Sequence, residues 1–207
     1  MGQSQLSGQK IAILATDGFE QSELLKPQKA LTEAGAEVHV VSPQTGFIRG
    51  WDHKDWGESV HVDKALNEAN ADDYQALVLP GGVMNPDSLR NNEEALKFVN
   101  QFIAQKKPIA AICHGPQILI ETGFLAGKKM TSYWSVKTDM KNAGAEWVDK
   151  DVVCENGFIT SRCPEDLPAF NKKMIAEFQK LRSSPEVEKE PSRRLPPSPE
   201  EPAPSLH

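Results

Sequence analysis

Short apolar runs alternate with longer amphipathic stretches along most of the chain. The apolar runs cover residues 11–15, 37–42, 74–79 and 108–112, and each is followed by glycine, proline or polar residues. Runs of this length, bounded by turn residues, are typical of strands that are buried on both faces of a parallel sheet. The pattern therefore predicts four parallel strands before residue 113.

Helical spacing separates these runs. Leu24, Leu25, Gln28 and Leu31 share one helix face after the first run, and a second apolar stripe covers residues 95–103. A strand, a helix and a second strand in succession imply parallel pairing through a right-handed crossover. We therefore expect a single α/β domain over residues 10–182, a doubly wound, flavodoxin-like sandwich with a mainly parallel central sheet.

Other segments depart from this alternation. Residues 46–63 predict a hairpin-like excursion, and an Asn-Gly pair between residues 151–154 and 158–161 predicts a second hairpin. Asn-Pro-Asp-Ser at 85–88 predicts a turn, and residues 130–134 predict a short strand or loop. Residues 1–9 are expected to be flexible. Seven of the 15 prolines lie in residues 183–207, so we expect a disordered tail there.

The fourth predicted strand ends at Cys113, directly before His114-Gly-Pro-Gln and a helical pattern. This junction predicts a nucleophile elbow, which presents a side chain at the edge of the sheet. The N-terminus of the following helix is expected to favour the thiolate. The alternative is a small structural cysteine, because free cysteines often belong to the core.

The C-terminal ends of neighbouring parallel strands meet at one edge of a sheet, where ligands bind in such folds. The ends of the first, third and fourth strands would bring together the loops that hold Glu20, Gly81-Gly82 and Cys113-His114. This convergence favours a catalytic role for Cys113.

The composition narrows the function classes. The formal net charge is −6 and no basic run exceeds two residues, so nucleic acid and anionic membranes are poor partners. No apolar run approaches the length of a membrane span, and the polar N-terminus does not resemble a signal peptide.

Three widely spaced cysteines argue against a disulfide framework or a zinc site, and Cys154 and Cys163 are expected to be structural. We expect a cytoplasmic protein with reduced thiols, without metal or cofactor.

Several motifs in a fixed order resemble the PfpI family of the DJ-1/PfpI superfamily. They are Asp-Gly-Phe-Glu-Gln-Ser-Glu-Leu at 17–24, Leu-Val-Leu-Pro-Gly-Gly at 77–82, Ala-Ile-Cys-His-Gly-Pro-Gln at 111–117, Ser-Tyr at 132–133, Asn-Ala-Gly-Ala-Glu-Trp-Val-Asp at 142–149, Thr-Ser-Arg at 160–162 and Pro-Glu-Asp-Leu-Pro-Ala-Phe at 164–170. The resemblance covers residues 10–178, and the proline-rich tail lies outside it.

Members of that family are described as intracellular cysteine proteases, as glutathione-independent glyoxalases and as deglycases of glycated proteins or nucleotides, and several are stress proteins. The resemblance implies that Cys113 is the nucleophile, that Glu20 is the carboxyl group hydrogen-bonded to it, and that His114 is its neighbour in a Cys–His pair. It further implies an acidic residue from an adjoining subunit, matched here by Asp87, and hence a homodimer or hexamer.

The chemistry that this site would perform suits reactive dicarbonyls. A Cys113 thiolate would attack an aldehyde carbon, and backbone N–H groups of Gly82 and His114 would stabilise the oxyanion. Gly81 and Tyr133 are further candidates for substrate binding. Glu20, whose pKa we expect to be raised by desolvation beside Phe19, or His114 would carry the proton.

Two rival functions remain open at this point. One is an intracellular cysteine peptidase with a Cys–His–acid site that is shared between subunits. The other is a non-enzymatic redox sensor or chaperone that uses oxidation of Cys113. A glutamine amidotransferase is excluded because no His-x-Glu follows His114.

Overall fold

The computed structural model describes residues 5–182. In chain order the strands are β1 (Lys10–Leu14), β2 (Phe19–Glu20), β3 (Glu37–Ser42), β4 (Phe47–Asp52), β5 (Asp55–His61), β6 (Lys64–Ala65), β7 (Ala76–Leu79), β8 (Ile109–Ile112), β9 (Lys129–Met130), β10 (Glu146–Trp147), β11 (Val153–Glu155) and β12 (Phe158–Ser161). The helices are α1 (Gln21–Glu33), α2 (Met84–Arg90), α3 (Glu93–Ala104), α4 (Gln117–Ile120), α5 (Lys137–Asn142) and α6 (Leu167–Gln179). Short 3-10 helices cover Ala71–Asp73, Trp134–Val136, Pro164–Asp166 and Lys180–Arg182.

A seven-stranded sheet in the order β11-β12-β8-β7-β1-β3-β6 forms the centre of the molecule. Neighbouring strands are parallel except at one edge, where β11 and β12 are antiparallel. Helices cover both faces of this sheet. The doubly wound, flavodoxin-like α/β fold predicted from the sequence is thereby confirmed.

Alternate residues of the central strands fill two cores, one on each face of the sheet. In β1, Ile11 and Ile13 pack with α1 and α6, whereas Ala12 and Leu14 pack with α3 and α4. Because both faces are buried, the central strands have apolar residues at successive positions rather than at every second one. This explains why the short apolar runs located these strands correctly.

Both predicted hairpins are present. Strands β4 and β5 pair antiparallel with a register shift between Arg49 and Trp51, and β11 pairs with β12 around the Asn-Gly turn. Strand β4 also pairs with β2, which brings Trp51 opposite Glu20. The first hairpin therefore lies beside the C-terminal edge of the central sheet.

The predicted turn at residues 85–88 is wrong, because these residues form part of α2. Asn85 is fully buried there: its Oδ1 accepts the Thr16 N–H at 2.8 Å, and its Nδ2 donates to the carbonyls of Pro80 at 2.9 Å and Gly81 at 3.1 Å. Pro86 is compatible with the first turn of a helix, where its missing N–H is not needed. These tertiary hydrogen bonds outweigh the local preference of Asn-Pro-Asp-Ser for a turn.

The segment before β1 packs on the body of the domain. Leu6 is fully buried and its N–H donates to the Ala34 carbonyl at 2.8 Å, while the Gln9 side chain donates to the Phe178 carbonyl at 2.9 Å. Residues 6–9 therefore make tertiary contacts, and the expected flexibility of residues 1–9 stays a prediction. The disordered tail expected at 183–207 falls outside the described residues.

None of the helices within residues 5–182 combines the length and the apolar character that a membrane crossing requires. The loops after β1, β7 and β8 meet at one edge of the central sheet.

Candidate active site

Cys113 begins a sharp turn between β8 and α4. Its φ is 62°, in the left-handed region that residues other than glycine seldom adopt. The Cys113 N–H donates to the Ser161 carbonyl at 3.0 Å, and the Gly115 N–H donates to the Ile112 carbonyl at 2.8 Å. Such a conformation persists only where the surrounding structure fixes it, and it recurs at functional sites. The backbone thus has the geometry of the predicted elbow.

Two glycines allow the elbow to approach its neighbours. A Cβ on Gly115 would lie 2.4 Å from the carbonyl oxygen of Leu79. A Cβ on Gly81 would lie 2.6 Å from Oε2 of Glu23 and 2.7 Å from Cβ of Cys113. Both separations are shorter than real side chains tolerate, so larger residues at these positions would displace the turn or the groups around the sulfur.

An open cleft of 660 Å³ lies beside the elbow. Its lining comprises Glu20, Glu23, Trp51, His53, Gly82, Val83, Cys113, His114, Tyr133, Trp134, Arg162, Cys163, Pro164, Glu165 and Asp166. Cys113 is only 6% exposed, so a substrate must enter the cleft to reach its sulfur. A concave site with a few polar groups around a nucleophile is the usual form of an active site.

The carboxyl group at the sulfur belongs to Glu23, in the first turn of α1, and not to Glu20. Glu23 is fully buried, forms a hydrogen bond with the Cys113 thiol, and accepts the Gly81 N–H at 2.9 Å through Oε2. Glu20 instead accepts a hydrogen bond from Ser22 Oγ at 3.2 Å. This corrects the sequence-based assignment. Glu20 precedes α1, so its side chain leaves the backbone in a different direction from that of Glu23.

Burial raises the pKa of Glu23 to about 8, and the nearby charge of Glu20 acts in the same direction. The hydrogen bonds from Cys113 and Gly81 oppose this shift without overcoming it. Glu23 is therefore mainly protonated at neutral pH and can donate a proton beside the sulfur. Burial also raises the pKa of Glu20, in the direction expected from the sequence.

Burial, followed by the carboxylate of Glu23, raises the pKa of Cys113 well above its usual value. The backbone N–H groups of His114 and Gly82 form hydrogen bonds with the sulfur and lower the pKa, but their effect is smaller. The N–H groups at the turn thus favour the thiolate, in the direction expected from the sequence, but the desolvation of the sulfur outweighs them, and α4 has only four residues. A protonated Glu23 removes the charge that most opposes a thiolate, so the two groups titrate as a pair.

His114 provides a proton acceptor at the sulfur. Its Nδ1 lies 3.2 Å from Sγ of Cys113, its Nε2 lies 3.1 Å from Oγ of Ser135, and its ring stacks on Tyr133 at 4.8 Å between centroids. Burial lowers the pKa of His114, which keeps the imidazole neutral near pH 7 and able to accept a proton. Cys113 thus lies between a protonated carboxyl group and a neutral imidazole.

This arrangement of motifs also appears in known proteins. The chain matches the model of the DJ-1/PfpI family over residues 9–177. The protein belongs to the DJ-1/PfpI family.

Curated relatives align over nearly their whole length. General stress protein 18 of Bacillus subtilis is 44% identical over 84% of this chain and 99% of its own. Putative cysteine protease YraA of the same organism is 44% identical over 80% of this chain and 96% of its own, and Deglycase PfpI of Pyrococcus furiosus is 44% identical over 83% and 98%. These relatives make the chain an enzyme of the PfpI type.

A solved DJ-1/PfpI structure confirms the fold. The crystal structure of an Anabaena variabilis protein with DJ-1/ThiJ/PfpI-like and ferritin-like domains has a TM-score of 0.76 and 38% identity. The similarity covers 81% of this chain and 49% of that two-domain chain.

The remaining candidate residues of this PfpI-type chain occupy different positions relative to the cleft. Gly82 and Tyr133 line it, and Tyr133 donates its backbone N–H to the Cys113 carbonyl at 2.9 Å. Asp87 is exposed on α2 and does not line the cleft of its own chain. Cys163 lines the cleft, whereas the thiol of Cys154 lies away from it and is hydrogen-bonded to Glu177.

Sequence reasoning missed Arg162, which lines the cleft. The guanidinium group of Arg162 contacts Asp166 through Nε and Nη2, both at 2.9 Å, and Asp149 through Nη1 at 2.7 Å. It also lies 5.3 Å from the ring centroid of Trp134. The Thr-Ser-Arg motif at 160–162 was the available signal, since it follows a predicted strand at the same edge of the sheet.

Within residues 5–182, no group of three or more histidine, cysteine, aspartate or glutamate side chains is arranged to hold a metal ion.

Proposed function

We propose that this protein is a glutathione-independent enzyme that acts on reactive carbonyls, both free dicarbonyls such as methylglyoxal and their adducts on amino groups. The observation that carries the proposal is the position of the Cys113 sulfur between protonated Glu23 and neutral His114. A relative with 44% identity is named Deglycase PfpI, which supports the same substrate class.

The first step is attack of the Cys113 sulfur on the aldehyde carbon. The thiol proton passes to Nδ1 of His114, the C–S bond forms, and Glu23 protonates the developing oxyanion to give a hemithioacetal. The N–H groups of Gly82 and His114, which contact the sulfur, are close enough to stabilise charge on that oxygen.

The second step moves a proton between the two carbons of the bound dicarbonyl. The Glu23 carboxylate removes the hydrogen from the former aldehyde carbon while the His114 imidazolium protonates the ketone oxygen, which gives an enediol. Glu23 then protonates the second carbon and His114 takes the hydroxyl proton, leaving a thioester. Water hydrolyses this thioester to lactate and restores the Cys113 thiol.

A glycated amine enters the same series of reaction steps before the hemithioacetal has formed. Attack of the sulfur on the carbon that bears nitrogen breaks the C–N bond, and the amine leaves with a proton from Glu23. The product is the same hemithioacetal. Free and bound carbonyls thus require one set of residues.

The test is methylglyoxal consumption with lactate formation in the absence of glutathione. We expect turnover by the wild type and by Cys154→Ser, whose thiol lies away from the cleft, and none by Cys113→Ala. In D2O, lactate should carry deuterium at its second carbon, since Glu23 exchanges its proton with solvent. Equal activity in Cys113→Ala would refute the assignment of the nucleophile.

Peptide hydrolysis is a second candidate activity, favoured by the 3.2 Å contact between Cys113 Sγ and His114 Nδ1. The relative YraA is named a putative cysteine protease. Cleavage of unmodified peptides by the wild type, lost in Cys113→Ala, without turnover of methylglyoxal would select this activity over the first.

The active protein would be a homodimer or hexamer in which Asp87 of the partner subunit reaches the cleft. Two exposed apolar side chains just before Asp87 support this assembly, because such side chains often mark a contact with another chain. Val83, which lines the cleft, is 68% exposed, and Met84 is 40% exposed. Sedimentation of the full chain tests the assembly. A fully active monomer would overturn the shared site.

A further inference from the structure

The cleft carries an unequal distribution of charge. Four carboxyl groups line it, those of Glu20, Glu23, Glu165 and Asp166, against the single guanidinium group of Arg162. Of the four, the buried Glu23 is mainly protonated, so the negative charge comes from the other three. No lysine lines this cleft. Whether the cleft attracts anions or cations then depends on whether Arg162 is free to bind a ligand.

Arg162 is already occupied by protein carboxylates. Asp166, which is 6% exposed, takes Nε and Nη2, and Asp149 takes Nη1. These bonds hold the pKa of Arg162 above its usual value. An anionic substrate would have to displace two carboxylates from one guanidinium group, so Arg162 is a poor anion receptor here.

Two carboxylates at the entrance have no comparable partner. Within residues 5–182, neither Glu20 nor Glu165 forms an ion pair; Glu20 bonds Ser22 and Glu165 bonds the Cys163 thiol. The imidazole of exposed His53 is the basic group that faces both carboxylates. The entrance therefore keeps uncompensated negative charge.

Deeper in the cleft, one oxygen of a buried carboxyl group is left without a partner. Oε1 of the fully buried Glu23 has no hydrogen-bond partner. The side chains of Trp51, Tyr133 and Trp134 supply aromatic walls around the same space. Aromatic faces together with carboxylates attract guanidinium and ammonium groups and offer nothing to phosphate.

We propose that the cleft selects its substrates by charge: Glu20 and Glu165 favour the approach of cationic compounds to Cys113 and repel anionic ones. The preferred adducts would be those on guanidinium or ammonium compounds, and adducts on phosphate-bearing nucleotides would be disfavoured. As a statement about substrates, this selectivity rests on the proposed carbonyl chemistry. As a statement about access to the sulfur, it can be measured without turnover.

Two methanethiosulfonates of similar size test access. One carries a trimethylammonium group and the other a sulfonate, and each forms a mixed disulfide with Cys113 and releases methanesulfinate. The rate at Cys113 is read by peptide mass spectrometry of the full chain and divided by the rate with 2-mercaptoethanol, which removes the intrinsic reactivity of each reagent. Because the ratio of the two reagents is compared, changes in the Cys113 pKa cancel.

We expect the cationic reagent to be favoured about tenfold or more after normalisation, as unscreened charges a few ångströms apart would produce. The preference should shrink toward unity in about 0.5 M NaCl, where the Debye length is about 4 Å. It should also shrink in Glu20→Gln/Glu165→Gln. Glu68→Gln, an exposed change that does not line the cleft, is the matched control and should keep the wild-type ratio.

The outcomes separate this proposal from the proposed function. A normalised ratio near unity in the wild type, or a ratio that the double variant leaves intact, overturns charge selection by Glu20 and Glu165. Methylglyoxal adducts of guanosine and of guanosine monophosphate, which differ only in the phosphate, then test substrates. Faster turnover of the guanosine adduct supports the proposal, and equal turnover contradicts it. If the wild type turned over neither methylglyoxal nor these adducts but kept its preference for the cationic reagent, the carbonyl chemistry would be refuted and charge selection would stand.

Discussion

Two glutamates three positions apart have different environments in this cleft. Glu20 lies at the N-cap of α1, whereas Glu23 lies inside the first turn on the same face as Pro27 and Leu31. That face is buried against the sheet, so the Glu23 carboxyl group reaches Cys113 and loses its hydration. The start of the helix, and not the spacing of acids in the sequence, decides which of the two can act on the sulfur.

This difference predicts unequal effects of two isosteric substitutions. Glu23→Gln should lower kcat/KM for methylglyoxal by about 100-fold or more, because it removes the group that moves protons at the sulfur. Glu20→Gln should lower kcat/KM much less, because the Glu20 carboxylate is hydrogen-bonded to Ser22 and methylglyoxal is uncharged. Steady-state kinetics with thiol titration of both variants is the measurement. A larger loss in Glu20→Gln would restore the original sequence-based assignment.

At the scale of elements, the sequence located those whose structure depends on burial. The strands β1, β3, β7 and β8 followed from apolar runs, because both faces of the central sheet are covered. Helix α2 was missed, since its residues prefer turns locally and its Asn85 is held by hydrogen bonds with Thr16 and with the loop just before the helix. Glu23 could have been found by noticing a carboxyl group on the apolar face of a predicted helix, which is costly without a purpose.

Asn85 connects three elements, and its removal should be costly. In Asn85→Ala the Thr16 N–H and the carbonyls of Pro80 and Gly81 lose their partner. We expect a loss of about 2 kcal/mol or more in the free energy of unfolding, as for other buried polar groups left without partners. Urea denaturation measures it, with Asn91→Ala on the exposed end of α2 as control. Equal stability of the two variants would show that water replaces the Asn85 side chain.

At the scale of the whole molecule, the buried Glu23 connects the chemistry of the cleft to folding. Its pKa is about 8 in the folded protein against an ordinary value of 4.5, so the folded state holds the proton more tightly between these values. Stability from this group is complete below pH 4.5 and is lost as pH rises through 8. The lowered pKa of His114 acts in the opposite direction, so the effect must be isolated by comparison.

The comparison is between the wild type and Glu23→Gln, whose neutral amide resembles the protonated acid. Relative to the wild type, Glu23→Gln should gain stability as pH rises from about 5 to 8, by at most about 1.4 kcal/mol per pH unit. The contribution of His114 cancels in this difference. Denaturation at a series of pH values provides the data, and parallel curves for the two proteins would contradict a raised pKa for Glu23.

The left-handed backbone at Cys113 has a consequence for how the protein can change. The sulfur is positioned by the hydrogen bond from Cys113 to β12 and by the close glycine contacts at the C-terminal edge of the central sheet, where larger residues would displace the turn. Other residues of the cleft lining belong to a surface hairpin and to short 3-10 helices, such as Trp51 in the hairpin and Trp134 and Glu165 in the helices. Substrate preference can therefore diverge among descendants of this protein while the reaction itself is inherited intact.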